Sequence, residues 1–231
     1  MKKLFFLVII LTACGQPTES IQDSIYDEIC TSLETKFDYK VSYSKGINLN
    51  ISNTINTLAF NINSQKIDSL NYINILSQSS LEIFEKIEKS PLKGKILNIE
   101  LVAKHNGKES TLELTSKAFQ QIKNQFSTID LFLKNYRNKK HLENYSLMDT
   151  LVQKLPDTTF ISYFNQMQEF KGELQSWEFI NFKPEKVIFG DKEYHTNAII
   201  FQIKCKNYAG EAFFRFPFTE NEESKILGFE M

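Results

Sequence analysis

Residues 99–114, IELVAKHNGKESTLEL, carry the strongest fold signal in this chain. Within them, Asn106-Gly107 is the pair preferred in two-residue type I′ hairpin turns, where both central residues need a positive φ. Centring a turn on this pair places Leu101 opposite Leu112, and the apolar residues of both strands then fall on one face. The stretch therefore predicts an antiparallel hairpin with one buried side.

The segments around this hairpin alternate between helical and extended patterns. Apolar residues recur in steps of three and four over residues 70–87 and 119–136, which predicts two amphipathic helices. Residues 20–38 predict another helix, because a serine and an aspartate at its start form a capping pattern. Alternation of apolar and polar residues over 47–51 and 58–62 instead predicts strands. Together these segments are typical of an α+β unit.

The last third of the chain predicts helices first and then a sheet. A helix over residues 157–172 ends at a glycine. We expect the strands that follow to lie at residues 174–182, 198–205, 211–218 and 226–229. A four-residue loop at 207–210 would pair Phe201 with Phe216. Phe214 would then share their face of the sheet, which predicts a solid aromatic core against the helix.

Residues 137–141 are polar and basic and show no apolar periodicity, so we interpret them as a solvated linker between domains. The last residue of this linker, His141, is expected to be exposed to solvent. The predicted fold class is α+β, with two small domains at residues 21–140 and 141–231. In the second domain, helices are expected to pack on a curved antiparallel sheet.

The first fourteen residues, MKKLFFLVIILTAC, indicate export. Two lysines precede an apolar run that is shorter than the about 20 residues needed to span a bilayer, and small residues follow it. This is the pattern of a signal peptide. Its end, Leu11-Thr12-Ala13-Cys14, resembles the lipobox of bacterial lipoproteins, in which the cysteine is lipidated and becomes the mature N-terminus.

The lipobox resemblance implies that residues 1–13 are removed, that Cys14 carries the lipid and that residues 14–20 form a short tether. Gly15, rather than aspartate, follows the cysteine and resembles lipoproteins sent to the outer membrane. We therefore expect a lipid-anchored protein of the bacterial envelope that faces the periplasm. The alternative is an ordinary signal peptide followed by a chance cysteine.

Two further cysteines, Cys30 and Cys205, lie beyond the signal. A disulfide between them is allowed in an exported protein, because the compartments outside the cytoplasm are oxidising. The alternative is that both are free thiols, which behave as small buried apolar side chains. Their spacing resembles neither a metal site nor a redox Cys-x-x-Cys motif, so no metal is predicted.

The pattern over about residues 145–231 predicts paired helices, a helix-ending glycine and a meander that closes on KILGF at 225–229. This order resembles that of small nuclear transport factor 2-like (cystatin-like) domains of bacterial envelope proteins. Ser224 stands where these domains commonly have tryptophan. The resemblance implies a cone-shaped sheet around either a packed core or a ligand pocket.

Asp191 and His195 form the candidate ligand site. Some enzymes of the resembling superfamily hold such a pair inside the cone, as a general base and the group that orients it. Here the pair follows a predicted turn at Gly190 and lies at the rim of the sheet, so we predict no catalytic residue. The sequence contains no serine-hydrolase elbow, zinc helix, phosphate loop or calcium loop, and no cofactor is predicted.

The function predicted from these features is that of a non-enzymatic envelope lipoprotein that binds a partner protein. The first alternative is a small-molecule binding or sensing module in the C-terminal domain, and the second is an enzyme. Nucleic acid is not an expected partner. The chain has 27 basic and 28 acidic side chains, and this balance creates no strongly positive surface.

Overall fold

Helices pack against two separate β-sheets in the computed structural model of this chain. The structure describes residues 19–46, 57–63, 67, 71–105, 107–154, 156–189, 192–219 and 225–228. The predicted export signal, the lipidation site Cys14 and the predicted strand at 47–51 lie outside the described residues. The predicted α+β class is confirmed, and the second sheet is antiparallel and not closed into a barrel.

The elements follow the chain in an order that separates the two sheets. The helices are α1 (Glu19–Phe37), α2 (Tyr72–Glu88), α3 (Ser116–Arg137), α4 (His141–Leu147) and α5 (Asp157–Lys171), with a 3₁₀ turn at Val152–Lys154. The strands are β1 (Lys40–Gly46), β2 (Thr57–Asn63), β3 (Asn98–His105), β4 (Lys108–Thr115), β5 (Leu174–Phe189), β6 (Lys192–Cys205) and β7 (Tyr208–Thr219).

The first sheet has the strand order β1-β2-β3-β4. Strands β2 and β3 are parallel, and α2 supplies the crossover between them, as a parallel pair requires. Strands β3 and β4 form the predicted hairpin, and Leu101 lies opposite Leu112 as expected. Gly107 has φ +74°, the left-handed conformation that the turn demands. Turn chemistry and apolar alternation therefore specified this register locally.

The second sheet has the order β5-β6-β7, and its second hairpin corrects the predicted register. Phe201 pairs with Phe214 rather than Phe216. The predicted four-residue loop is instead a two-residue turn at Lys206 and Asn207, because Cys205 already pairs with Tyr208. A shift of two residues keeps every side chain on its face of the sheet.

That turn is held by the end of α5. The Lys206 N–H donates to the carbonyl oxygen of Glu173 at 2.9 Å, and the Asn207 N–H donates to the carbonyl oxygen of Lys171 at 3.0 Å. The second bond satisfies the Lys171 carbonyl, which the C-terminus of the helix leaves open. Contact with the helix, rather than the composition of 207–210, therefore decides where the chain reverses.

The predicted last strand at 226–229 is wrong as a regular strand within the described part, which ends at residue 228. Ile226 forms single bridges, parallel to Met148 and antiparallel to Phe218. Its N–H donates to the Leu147 carbonyl oxygen at 3.1 Å, and its carbonyl oxygen accepts from the Asp149 N–H at 2.8 Å. The segment thus ties the end of α4 to the end of β7.

A single buried cluster joins the elements of both sheets. Phe126 of α3 packs on Phe179 of β5, with ring centroids 4.9 Å apart. On the edge of β5, the Ser77 hydroxyl of α2 donates to the Phe182 carbonyl oxygen at 3.1 Å. The division into residues 21–140 and 141–231 stays a prediction about independent folding, and these contacts cross it.

Candidate functional site

The structure does not place the predicted ligand site in full. Asp191 lies outside the described residues, as does the side chain of His195. The His195 backbone belongs to β6 and pairs with Lys186 of β5. The site at Asp191 and His195 therefore stays a prediction.

Cys30 and Cys205 are both free thiols. Cys30 is half-buried on α1, and Cys205 is buried at the end of β6. Burial, followed by the charges of Glu34 and Asp27, raises the pKa of Cys30 to about 11. Burial also raises the pKa of Cys205. Both sulfurs are therefore protonated at neutral pH and are poor nucleophiles, in keeping with the alternative of small apolar side chains.

A polar cleft of about 580 Å³ lies where the C-terminus of α3 meets α5. We call it the α3–α5 groove. It is lined by Arg137, Asn138, Lys139, Asn165, Gln168, Glu169 and Glu173. No sequence pattern predicted this site, because residues 137–141 show only polar composition and their partners are about thirty residues away.

One wall of the groove is the turn that ends α3. The Lys140 N–H donates to the Asn135 carbonyl oxygen at 2.8 Å, and the Lys139 N–H donates to the Tyr136 carbonyl oxygen at 3.1 Å. This pair of bonds is a Schellman motif, which places one residue in the left-handed region. That residue is Lys139, with φ +59°. Glycine is preferred at this position, since a side chain there costs about 1–2 kcal/mol.

The neighbouring cation is held by an aromatic ring. The Arg137 guanidinium carbon lies 5.2 Å from the centroid of the Trp177 ring of β5. This cation–π contact holds the guanidinium near the ring, and its N–H groups remain able to bind a planar anion. Trp177 is the chain's single tryptophan.

Behind the groove, His141 is buried, so the prediction that it is exposed in a linker is wrong. The residue is 3% exposed, and its ring stacks on Phe164 of α5 with centroids 5.3 Å apart. The Gln168 amide of α5 also donates to the Tyr136 carbonyl oxygen of α3. Residues 137–141 are therefore a folded corner covered by α5, which their local composition could not reveal.

Burial is the largest influence on the pKa of His141 and lowers it, against the side chains of Gln168 and Asn165, which raise it by hydrogen bonding. The smaller effects of charge are a lowering by Lys139 and a raising by Glu143. The imidazole is therefore neutral in the folded protein near neutral pH. We predict that acidification destabilises the fold through this residue. The unfolded chain binds the proton first as the pH falls, because the histidine pKa there is about 6.5.

Stability owed to neutral His141 is complete above about pH 6.5 and declines below it, by at most about 1.4 kcal/mol per pH unit, until the folded histidine also titrates. Urea unfolding between about pH 5 and pH 7.5 measures this decline. His141→Phe keeps a ring against Phe164 but cannot titrate, so its stability should vary less over the same interval. Equal slopes for both proteins would contradict the prediction.

The groove presents charges of both signs. Arg137 and Lys139 lie on the α3 side, and Glu169 and Glu173 lie on the α5 side. No ion pair within 4.0 Å joins these four to one another or to other described residues. Such an arrangement can bind a polar ligand that carries both charges.

The described part of the chain contains no cluster of His, Cys, Asp and Glu suited to a metal ion.

A second surface feature lies on α5. Phe170 is 75% exposed and Tyr163 is 46% exposed, with the partly buried Met167 between them. Residues spaced by three and four lie on one side of a helix. We call these three residues the aromatic face of α5.

No α-helix in the described part of the chain combines the length and the apolar character that a membrane span needs.

No protein-family model, curated protein or solved structure matches this chain.

Proposed function

We propose that this protein is a lipid-anchored lipoprotein of the bacterial envelope, without enzymatic activity, that binds a partner protein through the aromatic face of α5. The observation that carries the proposal is Phe170, which leaves three quarters of its surface in water. Burying a phenylalanine is worth about 1.5–3 kcal/mol relative to exposure. A partner that covers Phe170 would gain that free energy.

The composition of the aromatic face supports a protein partner. Aromatic residues are enriched among the few side chains that dominate binding energy at protein interfaces. Phe170 lies between Glu169 and Lys171, and charged residues of this kind are typical of an interface rim. An apolar centre with a charged border therefore fits a docking surface for a folded protein.

The membrane location is proposed from the lipobox resemblance. Removal of residues 1–13 would leave the lipid on Cys14. Because α1 begins at Glu19, the part of the predicted tether 14–20 that precedes the helix is residues 14–18, which would hold α1 close to the bilayer. The proposed location is the outer membrane, with the protein facing the periplasm. The proposed partners are thus the membrane itself, through the lipid, and an envelope protein.

A second candidate function is small-molecule binding or sensing. The α3–α5 groove favours it, because ligand sites are concave and place a few polar groups around one cavity. No observation on the described residues favours an enzyme in the way that the groove favours a binding module.

We predict that a photo-crosslinking phenylalanine analogue at position 170 gives one discrete adduct in intact cells. The matched control position is Leu97, which is 47% exposed and lies outside α5. The analogue at position 97 should give no adduct. Tyr163→Glu should abolish the adduct formed from position 170, because it places a charge on the aromatic face. Equal labelling from both positions, or an adduct that survives Tyr163→Glu, would rule out docking on this face.

The anchor is tested in the same cells. Cys14→Ala should take up no fatty-acid analogue and should leave the membrane fraction, since no other anchor is proposed. Labelling of Cys14→Ala equal to that of the wild type would contradict the lipid anchor and would leave the docking result to be judged separately.

A further inference from the structure

We propose that the α3–α5 groove binds a short peptide with free termini, its carboxylate on the Arg137 and Lys139 side and its ammonium on the Glu169 and Glu173 side. The inference does not depend on docking at the aromatic face of α5. It rests on the backbone of Lys139, the contact of Arg137 with Trp177 and the charges around the groove.

Lys139 occupies a position where the backbone favours glycine. Its φ of +59° belongs to the left-handed region, and the hydrogen bonds of the α3 C-terminus require that conformation. Lys139 thus carries backbone strain at a position that lines the groove. Non-glycine residues in such strained conformations cluster at binding sites.

Arg137 offers a planar anion site beside this ammonium. Its cation–π contact with Trp177 restricts the guanidinium, so less conformational freedom is lost when a ligand binds. No described carboxylate occupies the edge of the guanidinium within ion-pair distance, although Glu169 and Glu173 line the same cavity. A ligand carboxylate can therefore form a bidentate pair there.

The opposite wall is set by the end of α5. Glu169 lies in its last turn, and Glu173 follows Gly172, where the helix stops. The carbonyl oxygen of Glu173 is fixed by the Lys206 N–H, so the backbone at this glutamate is held by the β6–β7 turn. Two carboxylates on one wall favour a cation, which a ligand ammonium supplies.

The size and remaining polar groups fit a peptide. A volume of about 580 Å³ lies within the about 300–1,000 Å³ typical of small-ligand sites. Asn138 and Asn165 also line the groove, and a side-chain amide can exchange hydrogen bonds with a peptide bond. A dipeptide therefore finds groups of opposite charge for its two termini and an amide for its peptide bond.

The fluorescence of the single tryptophan can be used to measure peptide binding. Trp177 lies against Arg137, so its fluorescence in the full chain should change saturably when the dipeptide Ala-Ala binds. N-acetyl-Ala-Ala lacks the ammonium and Ala-Ala-amide lacks the carboxylate, and each should bind about tenfold more weakly or worse. No saturable change with Ala-Ala would overturn the proposal. Equal binding of Ala-Ala and N-acetyl-Ala-Ala would reduce the groove to an anion site and would also overturn it.

Lys139→Gly separates binding from folding. Removing the strained side chain should raise the melting temperature by about 2 °C and weaken Ala-Ala binding, measured by calorimetry. Asp38→Gly is the matched control, because Asp38 also has a positive φ, +56°, at the end of α1 and lies outside the groove. It should leave binding unchanged. Binding that is unaffected by Lys139→Gly would contradict the role of this lysine.

Discussion

Phe132→Ala is expected to lower the free energy of unfolding by about 3–5 kcal/mol, the usual range for deleting a fully buried aromatic ring. Phe132 is 0% exposed on α3. Its ring centroid lies 5.6 Å from that of Phe164, 6.3 Å from that of Phe214 and 5.2 Å from that of Phe216. Truncation would leave a cavity that three rigid rings cannot collapse to fill.

Phe170→Ala is the matched control for this loss. It deletes the same side chain at a position that is 75% exposed, and its stability should change by no more than about 0.5 kcal/mol. Urea unfolding followed by circular dichroism compares the two variants with the wild type. Phe132→Ala within about 1 kcal/mol of the wild type would show that the aromatic cluster is not the core of the fold.

The same experiment addresses the predicted boundary at residue 140. Phe132 precedes that boundary, whereas Phe164, Phe214 and Phe216, whose rings it contacts, follow it. If residues 21–140 and 141–231 share one cooperative core, Phe132→Ala shifts a single transition. Two transitions, of which only one shifts, would support independent domains.

Gly172→Ala is expected to cost more than about 2 kcal/mol, for two reasons that add. Gly172 has φ +80° and ψ −172°, a region essentially restricted to glycine, where another residue costs about 1–3 kcal/mol. A Cβ there would also lie 2.7 Å from Asn207 Cγ and 2.8 Å from the Asn207 backbone nitrogen. Relieving this overlap would move the β6–β7 turn, at a typical overpacking cost of about 1–3 kcal/mol.

Gly94→Ala measures the cost of a positive φ in a residue whose added Cβ makes no steric overlap. Gly94 also has a positive φ, +74°, but a Cβ at this position would meet nothing within 4 Å. Its alanine variant should lose only the cost of the conformation, about 1 kcal/mol. In thermal melts, the additional loss in Gly172→Ala therefore measures the contact with Asn207 together with the glycine-only ψ of −172°. Equal losses would show that the β6–β7 turn tolerates the extra atom.

The sequence alone determined the elements whose signals lie within a few residues. The β3–β4 hairpin follows from Asn106-Gly107 and the alternation around it, and its register is as predicted. The helix predicted over 157–172 is α5, which ends where Gly172 takes the positive φ. The faces of β6 and β7 were also predictable, because a period of two survives an error of two residues in register.

Only the tertiary structure decided which elements meet. The β6–β7 turn lies at Lys206 and Asn207 because their N–H groups bond to carbonyl oxygens at the end of α5, more than thirty residues earlier in the chain. His141 is buried because Phe164 of α5 stacks on its ring, although the residues next to it in the sequence are polar. The α3–α5 groove likewise combines residues 137–139 with 165–173. Periodicity and turn preference act over one or two turns of chain, whereas these contacts depend on how apolar faces pack, which no local pattern encodes.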